Sequence, residues 1–132
     1  MKHRILVVED NQANRELLCD WLEAEGFEVA YAETLEQSYA AFKVNVPRAV
    51  LLDVQLGRED GLVLAKWIRQ HEAWRHIPII AVTAHAMVTD HERVLQAGCD
   101  ACIAKPVNFK SLSQQLELSL NPITPNPSGL KA

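Results

Sequence analysis

Five short, continuously apolar runs, separated by longer stretches with helical spacing, constrain the fold of this chain more than any other feature. The runs are Ile5-Leu6-Val7-Val8, a weaker one from Phe27 to Tyr31, Ala49-Val50-Leu51-Leu52, Ile77 to Val82 broken only by Pro78, and Ala101 to Ala104. Runs this short and apolar at consecutive positions send side chains to both faces of a sheet. That suits parallel strands covered on each side by helices. The intervening stretches supply those helices. Asn11 to Glu25 carries Leu17, Leu18, Trp21 and Leu22 at helical intervals, and Gly26 follows as a left-handed stop. Thr34 can cap a helix reaching about Lys43, with Glu36-Gln37 close behind it. Gly61 to about Gln70 gathers Leu64, Ala65 and Ile68 on one face. A fourth helix spans about Ala86 to Ala97 and ends at Gly98. Asn108 can cap the last, in which Phe109, Leu112, Leu116 and Leu120 form one stripe.

Strand and helix alternating five times predict an α/β fold, a doubly wound five-stranded parallel sheet with five helices on both faces. With right-handed crossovers the expected strand order is 2-1-3-4-5. No internal repeat is present. Residues 1–120 make one domain with enough length to bury a core. Residues 121–132 hold Pro122, Pro125 and Pro127 with no apolar period, and read as a disordered Pro-rich tail. Apolar residues at 48% and charged residues at 23% exclude disorder of the whole chain. Thirteen basic against 17 acidic residues lack the clustered positive excess that a phosphate backbone needs, so no direct nucleic-acid partner is expected. No apolar run reaches membrane-span length, and Lys2-His3-Arg4 leads into only a short one. Neither a membrane partner nor a secretory leader is expected, and a cytoplasmic location follows by default.

In sheets of this kind ligands bind beyond the carboxyl ends of the strands, where the strand order reverses. The first run exits into Glu9-Asp10, the third into Asp53, the fourth into Thr83 and the fifth into Lys105-Pro106. The assumed order makes the first and third strands neighbours, which brings Glu9, Asp10 and Asp53 within reach of one another. Three carboxylates in one pocket must take up protons or bind a cation. Oxygen ligands with room for waters suit Mg²⁺, or Mn²⁺. Such an ion recruits phosphate, Lys105 can neutralise a further phosphate oxygen, and Thr83 can donate a hydrogen bond to it. A carboxylate beside the metal can itself attack phosphorus and form an acyl phosphate. Asp53 is the best nucleophile of the three, because it stands alone on the central strand while Glu9 and Asp10 form a pair suited to the metal.

With these residues in view, the chain resembles a receiver domain of two-component signalling, a response regulator of the flavodoxin-like, CheY-like type, over about Lys2 to Leu120. The matching elements are Glu9-Asp10, Asp53, Asp60-Gly61 opening the third helix, Thr83 and Lys105-Pro106. The resemblance implies that Asp53 is the phospho-acceptor for a kinase histidine. It implies that Asp10, Asp53 and the backbone carbonyl of Gln55 are Mg²⁺ ligands, with Glu9 acting directly or through water. Thr83 is then the switch hydroxyl, Lys105 pairs with the phosphoryl group, and Lys105-Pro106 is a cis peptide, a form open to it because the second residue is proline. The implied partners are a histidine kinase or phosphotransfer protein upstream and a protein target downstream. Self-phosphorylation and slow self-dephosphorylation are the implied chemistry, not turnover as an enzyme. Two positions depart from the family pattern. Cys102 stands where a switch aromatic is usual, and Gly57 replaces a common proline four residues after the acceptor, which predicts a looser loop. Thr83-Ala84-His85-Ala86-Met87 is similar to receivers of hybrid kinases and phosphorelays. Met1 and the Pro-rich end are instead read as a free-standing protein, a monomer or a weak homodimer with Leu118 off the buried stripe.

Other readings compete at several positions. Asp10 or Asn11 could simply cap the first helix. Cys99-Asp100-Ala101-Cys102 has C-x-x-C spacing, but an extended i, i+3 pair lies about 10 Å apart, beyond disulfide reach. Both cysteines, with Cys19, are read as small apolar residues. Trp67 and Trp74 are read as core covers, and His85 as a solvated helix-start residue. A phosphatase of the haloacid dehalogenase type would need a second aspartate at position 55, where Gln55 stands. A phosphorylation-independent binding module is disfavoured by the intact acidic set, and flavin binding by the absence of a Ser/Thr-Gly-rich loop after the first strand.

Overall fold

In the computed structural model, residues 3–84 and 88–120 are described, apart from the side chains at positions 88 and 89. The chain runs β1 (Arg4–Val8), α1 (Gln12–Ala24), β2 (Glu28–Ala32), α2 (Leu35–Val44), β3 (Ala49–Asp53), β4 (Gln55–Leu56), β5 (Glu59–Asp60), α3 (Leu62–Gln70), a 3-10 turn (Glu72–Trp74), β6 (Ile79–Thr83), α4 (Val88–Gln96), β7 (Ala101–Ala104) and α5 (Phe109–Leu120). The five long strands form one sheet in the order β2-β1-β3-β6-β7. This is the expected 2-1-3-4-5 order once the small β4–β5 hairpin is set aside, and every pairing in it is parallel.

Side-chain caps start three helices where the sequence placed them. Asn11 Oδ1 accepts from the Asn14 amide at 3.0 Å, Thr34 Oγ1 from Gln37 at 3.1 Å and Asn108 Oδ1 from Ser111 at 3.1 Å. Each satisfies an amide that has no partner inside its own helix. Two apolar layers then sandwich the sheet. On one face Leu18 and Leu22 of α1 and Leu112, Leu116 and Leu120 of α5 pack against Ile5, Val7, Leu51 and Ile80. On the other, Phe42, Leu64, Ile68 and Val94 from α2, α3 and α4 pack against Leu6, Val8, Leu52 and Ala81. Alternate residues of one strand thus enter different cores, which explains why β1 after Arg4, β3 before Asp53 and β6 before Thr83 are apolar at every position. The edge strands β2 and β7 are only half-buried.

Several local expectations are corrected. Leu17 is exposed, and Arg15 instead completes the buried stripe with Leu18 and Leu22. The fourth apolar run enters the sheet at Ile79, two residues later than its start; Ile77 is buried before the ladder begins. The loop after Asp53 is not loose. It closes as the β4–β5 hairpin, with Gly57 at φ 61, a left-handed turn conformation that costs glycine little. Trp67 and Trp74 do cover the core, in an aromatic cluster with Tyr39, Phe42 and His71. Cys19, Cys99 and Cys102 are all free. Leu118 is exposed, as its place off the stripe predicts. The expected start of the fourth helix at Ala86, His85 and the tail from residue 121 lie outside the described residues. Among the described residues no helix is long and apolar enough to cross a membrane.

Candidate functional site

Parallel strands in register deliver their carboxyl ends to one edge. Val8 pairs with Leu52, Asp53 with Val82, and Thr83 with Ala104. Glu9 and Asp53 therefore leave adjacent strands side by side, and Lys105, which follows β7 on the far side of β6, is brought to the same edge. Glu9, Asp10 and Asp53 each offer a carboxylate oxygen, and these oxygens all lie within 4.8 Å of one another. Glu9 and Asp53 are buried, at 2% and 6% exposure, while Asp10 is open to solvent. They border a cleft of about 290 Å³ that Gln55, Gly57 and Ala84 help to line.

The buried carboxylates are held by specific donors. Lys105 Nζ donates to Glu9 Oε1 at 3.0 Å and to Asp53 Oδ2 at 2.8 Å. The Gln55 amide donates to Asp53 Oδ1 at 3.0 Å, and the Asn11 amide to Glu9 Oε2 at 3.1 Å. Burial, followed by the neighbouring Asp53 carboxyl, raises the Glu9 carboxyl from 4.5 to about 7, against the opposing pull of the Asn11 amide and Lys105. Burial pulls the Lys105 ammonium down, but its bonds to Asp53 and Glu9 outweigh this and hold it above the ordinary lysine value. A lysine bridging two buried carboxylates occupies the position of a cation and offsets their mutual repulsion.

The set fits a hard divalent cation. Its donors are carboxylate oxygens only, they converge within one coordination sphere, and Asp10 faces the solvent side, where waters can complete the shell. Gln55 lines the same cleft, as its assignment requires. The Lys105–Pro106 peptide is cis. Thr83 ends β6, the strand between those that lead to Asp53 and Lys105, and is buried there, while its neighbour Ala84 lines the cleft. Cys102 sits half-buried on β7 opposite Ala81, at the edge of the α3–α4 core. Burial and then the nearby Asp90 raise its thiol.

Arg15 was singled out by no motif, and the packing role of Gly61 within Asp60-Gly61 was not apparent from the sequence. Gly61 packs so tightly under Asp53 that a Cβ there would collide with the Asp53 carbonyl oxygen and lie 3.1 Å from that of Val54. Arg15 is buried beneath the acidic loop, where its guanidinium donates to the Glu9 carbonyl at 3.2 Å. The i, i+3, i+7 spacing of Arg15, Leu18 and Leu22 was the available signal; its charge concealed it.

A doubly wound sheet of this order, with an acidic cluster and a lysine at its switch point, defines the class of protein. A sequence profile of the response regulator receiver domain matches residues 5–117, and the chain belongs to that family. It is 40% identical over 108 residues to the polar-differentiation response regulator DivK of Brucella ovis, covering 82% of this chain and 88% of that one. A CheY-like receiver domain protein from Methanospirillum hungatei JF-1 superposes with a TM-score of 0.82 at 30% identity, over 91% of this chain and 94% of that one. The signal receiver domain of a histidine kinase from Syntrophus aciditrophicus does so with a TM-score of 0.83 at 26% identity, covering 92% of each. The chain is thus a receiver of two-component signalling, a family of signalling switches in which magnesium and phosphorylation are typical.

Proposed function

We propose that the chain accepts a phosphoryl group on Asp53 from a phosphohistidine of a kinase or phosphotransfer protein, and relays the change by protein contacts. The observation that carries this reading is the hold on Asp53. One oxygen is fixed by the Gln55 amide and the other by Lys105, at the floor of a cleft open to an incoming phosphohistidine. In the transfer an Asp53 carboxylate oxygen forms the new O–P bond as the P–N bond breaks, and the electron pair leaves with the donor imidazole. Lys105, partly exposed on a flexible stem, can swing from the carboxylate to a phosphoryl oxygen and neutralise it. Glu9, Asp10 and Asp53, with the Gln55 carbonyl, would hold Mg²⁺, or Mn²⁺, which supplies positive charge against the phosphoryl oxygens. Thr83, one residue beyond Val82, which pairs with Asp53, is the hydroxyl that would follow the new charge, and Cys102 is the smaller neighbour against which β6 and β7 would repack.

The added charge shifts a two-state equilibrium of the loops around the cleft. Likeness to the histidine-kinase receiver of Syntrophus aciditrophicus supports a second reading, in which the phosphoryl group is passed on within a relay. Intact mass after incubation with a small phosphodonor and Mg²⁺ tests the proposal. The wild type gains one phosphoryl group, and Asp53→Asn and chelator-treated protein gain none. Equal labelling of Asp53→Asn would refute it.

A further inference from the structure

We infer that Arg15 is a positioning residue for the cation site, acting through the backbone of the Glu9–Asn11 loop. Arginine is rarely buried without a reason, and Arg15 is 9% exposed. Its guanidinium reaches the carbonyl oxygen of Glu9 at 3.2 Å and that of Asp10 at 3.5 Å. It lies 5.0 Å from the centre of the Tyr31 ring and pairs with Glu33 at 3.4 Å. The side chain therefore ties the loop after β1 to the end of β2. It engages the carbonyls of Glu9 and Asp10, and leaves their carboxylates to the cleft.

The geometry of one peptide unit carries the effect to the site. The Asp10 carbonyl and the Asn11 N–H belong to the same planar trans unit and point in opposite directions. Arg15 draws the carbonyl to one side, and the N–H on the other side donates to Glu9 Oε2 at 3.1 Å. The guanidinium thus orients the amide that fixes the buried Glu9 carboxylate, as partners of metal ligands do elsewhere. Nη1 makes both carbonyl contacts and the Glu33 contact, and the guanidinium plane over Tyr31 fixes where that nitrogen sits, which a lysine ammonium on a thin stem does less well.

This inference rests on the reading of Glu9 and Asp10 as cation ligands, and the test separates the two. Calorimetric titration with Mg²⁺ and hydrogen exchange of the Asn11 amide are measured on wild type, Arg15→Met, Arg15→Lys and Glu33→Gln, with thermal unfolding alongside. In Arg15→Met the Mg²⁺ affinity falls roughly 10-fold or more, and the Asn11 amide exchanges about 10-fold faster in the absence of metal. Arg15→Lys recovers part of both, and Glu33→Gln, which keeps the carbonyl contacts, stays near wild type. A purely structural role would lower the melting temperature of Arg15→Met and leave Mg²⁺ affinity and Asn11 exchange unchanged, which would overturn the inference. So would a loss in Glu33→Gln as large as in Arg15→Met. If Arg15→Met does not fold, Arg15→Lys against Glu33→Gln decides. Should the wild type bind no Mg²⁺, the reading of the ligands fails, and the Asn11 exchange still settles the role of Arg15.

Discussion

Glu9 and Asp53 are both buried, and Lys105 touches both, so the metal-free site stores a protonation equilibrium at Glu9. Its folded value of about 7 exceeds the ordinary 4.5, so between these values the folded chain holds a proton that the unfolded chain has lost. The resulting stability is complete below about pH 4.5 and disappears as the pH rises through 7. Urea unfolding in chelator at pH 5 and pH 8 should therefore show Glu9→Gln gaining on wild type at the higher pH; a constant gap would contradict the assignment. Gly61 gives a second expectation at this scale. Gly61→Ala forces the Asp53 backbone aside, which should cost about 1–3 kcal/mol in chemical unfolding and impair phosphodonor labelling as well. The candidate set at the strand ends was legible in the sequence, because each member stands at the exit of an apolar run. The packing that supports it was not. Gly61 is needed only because another segment's carbonyl approaches it, and Arg15 is buried only because the loop carbonyls and Glu33 are there to receive it.

Among the elements, α3 is tied by one side chain to the edge of the sheet where β6 and β7 begin. Arg69 Nε donates to the Gly98 carbonyl at 2.9 Å and its guanidinium to Asp100 Oδ2 at 2.9 Å, while that oxygen also accepts the Ile79 amide at 2.8 Å. The arginine therefore links α3, the α4–β7 loop and the start of β6. Arg69→Ala should lower the unfolding free energy by about 2–3 kcal/mol, since charged hydrogen-bond partners are left without their donor. Labelling of Asp53 should persist, because the linkage lies at the opposite end of the strands. Element order and caps were readable from period and cap chemistry, as Asn11, Thr34 and Asn108 show. The β4–β5 hairpin was not: four polar-rich residues around Gly57 carry no period-2 signal, and the pairing depends on how α3 returns beneath Asp53.

For the whole molecule, cation binding at the carboxylates would be linked to folding. The carboxylates converge only in the native sheet, so Mg²⁺ held by them would favour the folded chain and stabilise it by mass action. At about ten times its dissociation constant the ion should add about 1.4 kcal/mol and raise the melting temperature by about 5 °C. Asp10→Asn should lose most of that increment in a thermal scan with and without Mg²⁺. An equal rise in the variant would place the ion elsewhere.

Periodicity and strand-exit chemistry in the primary structure were enough to establish a parallel α/β sheet, its strand order and the acid–lysine set at its edge. These follow from local rules: side-chain direction repeats every two or 3.6 residues, and crossovers have one hand. Contacts between distant segments settled the rest: Lys105 lying on both Glu9 and Asp53, Arg15 buried under the acidic loop, and a hairpin where a loose loop was expected. Such features depend on which groups meet in three dimensions and on how burial changes their charge, and no local pattern along a chain encodes either.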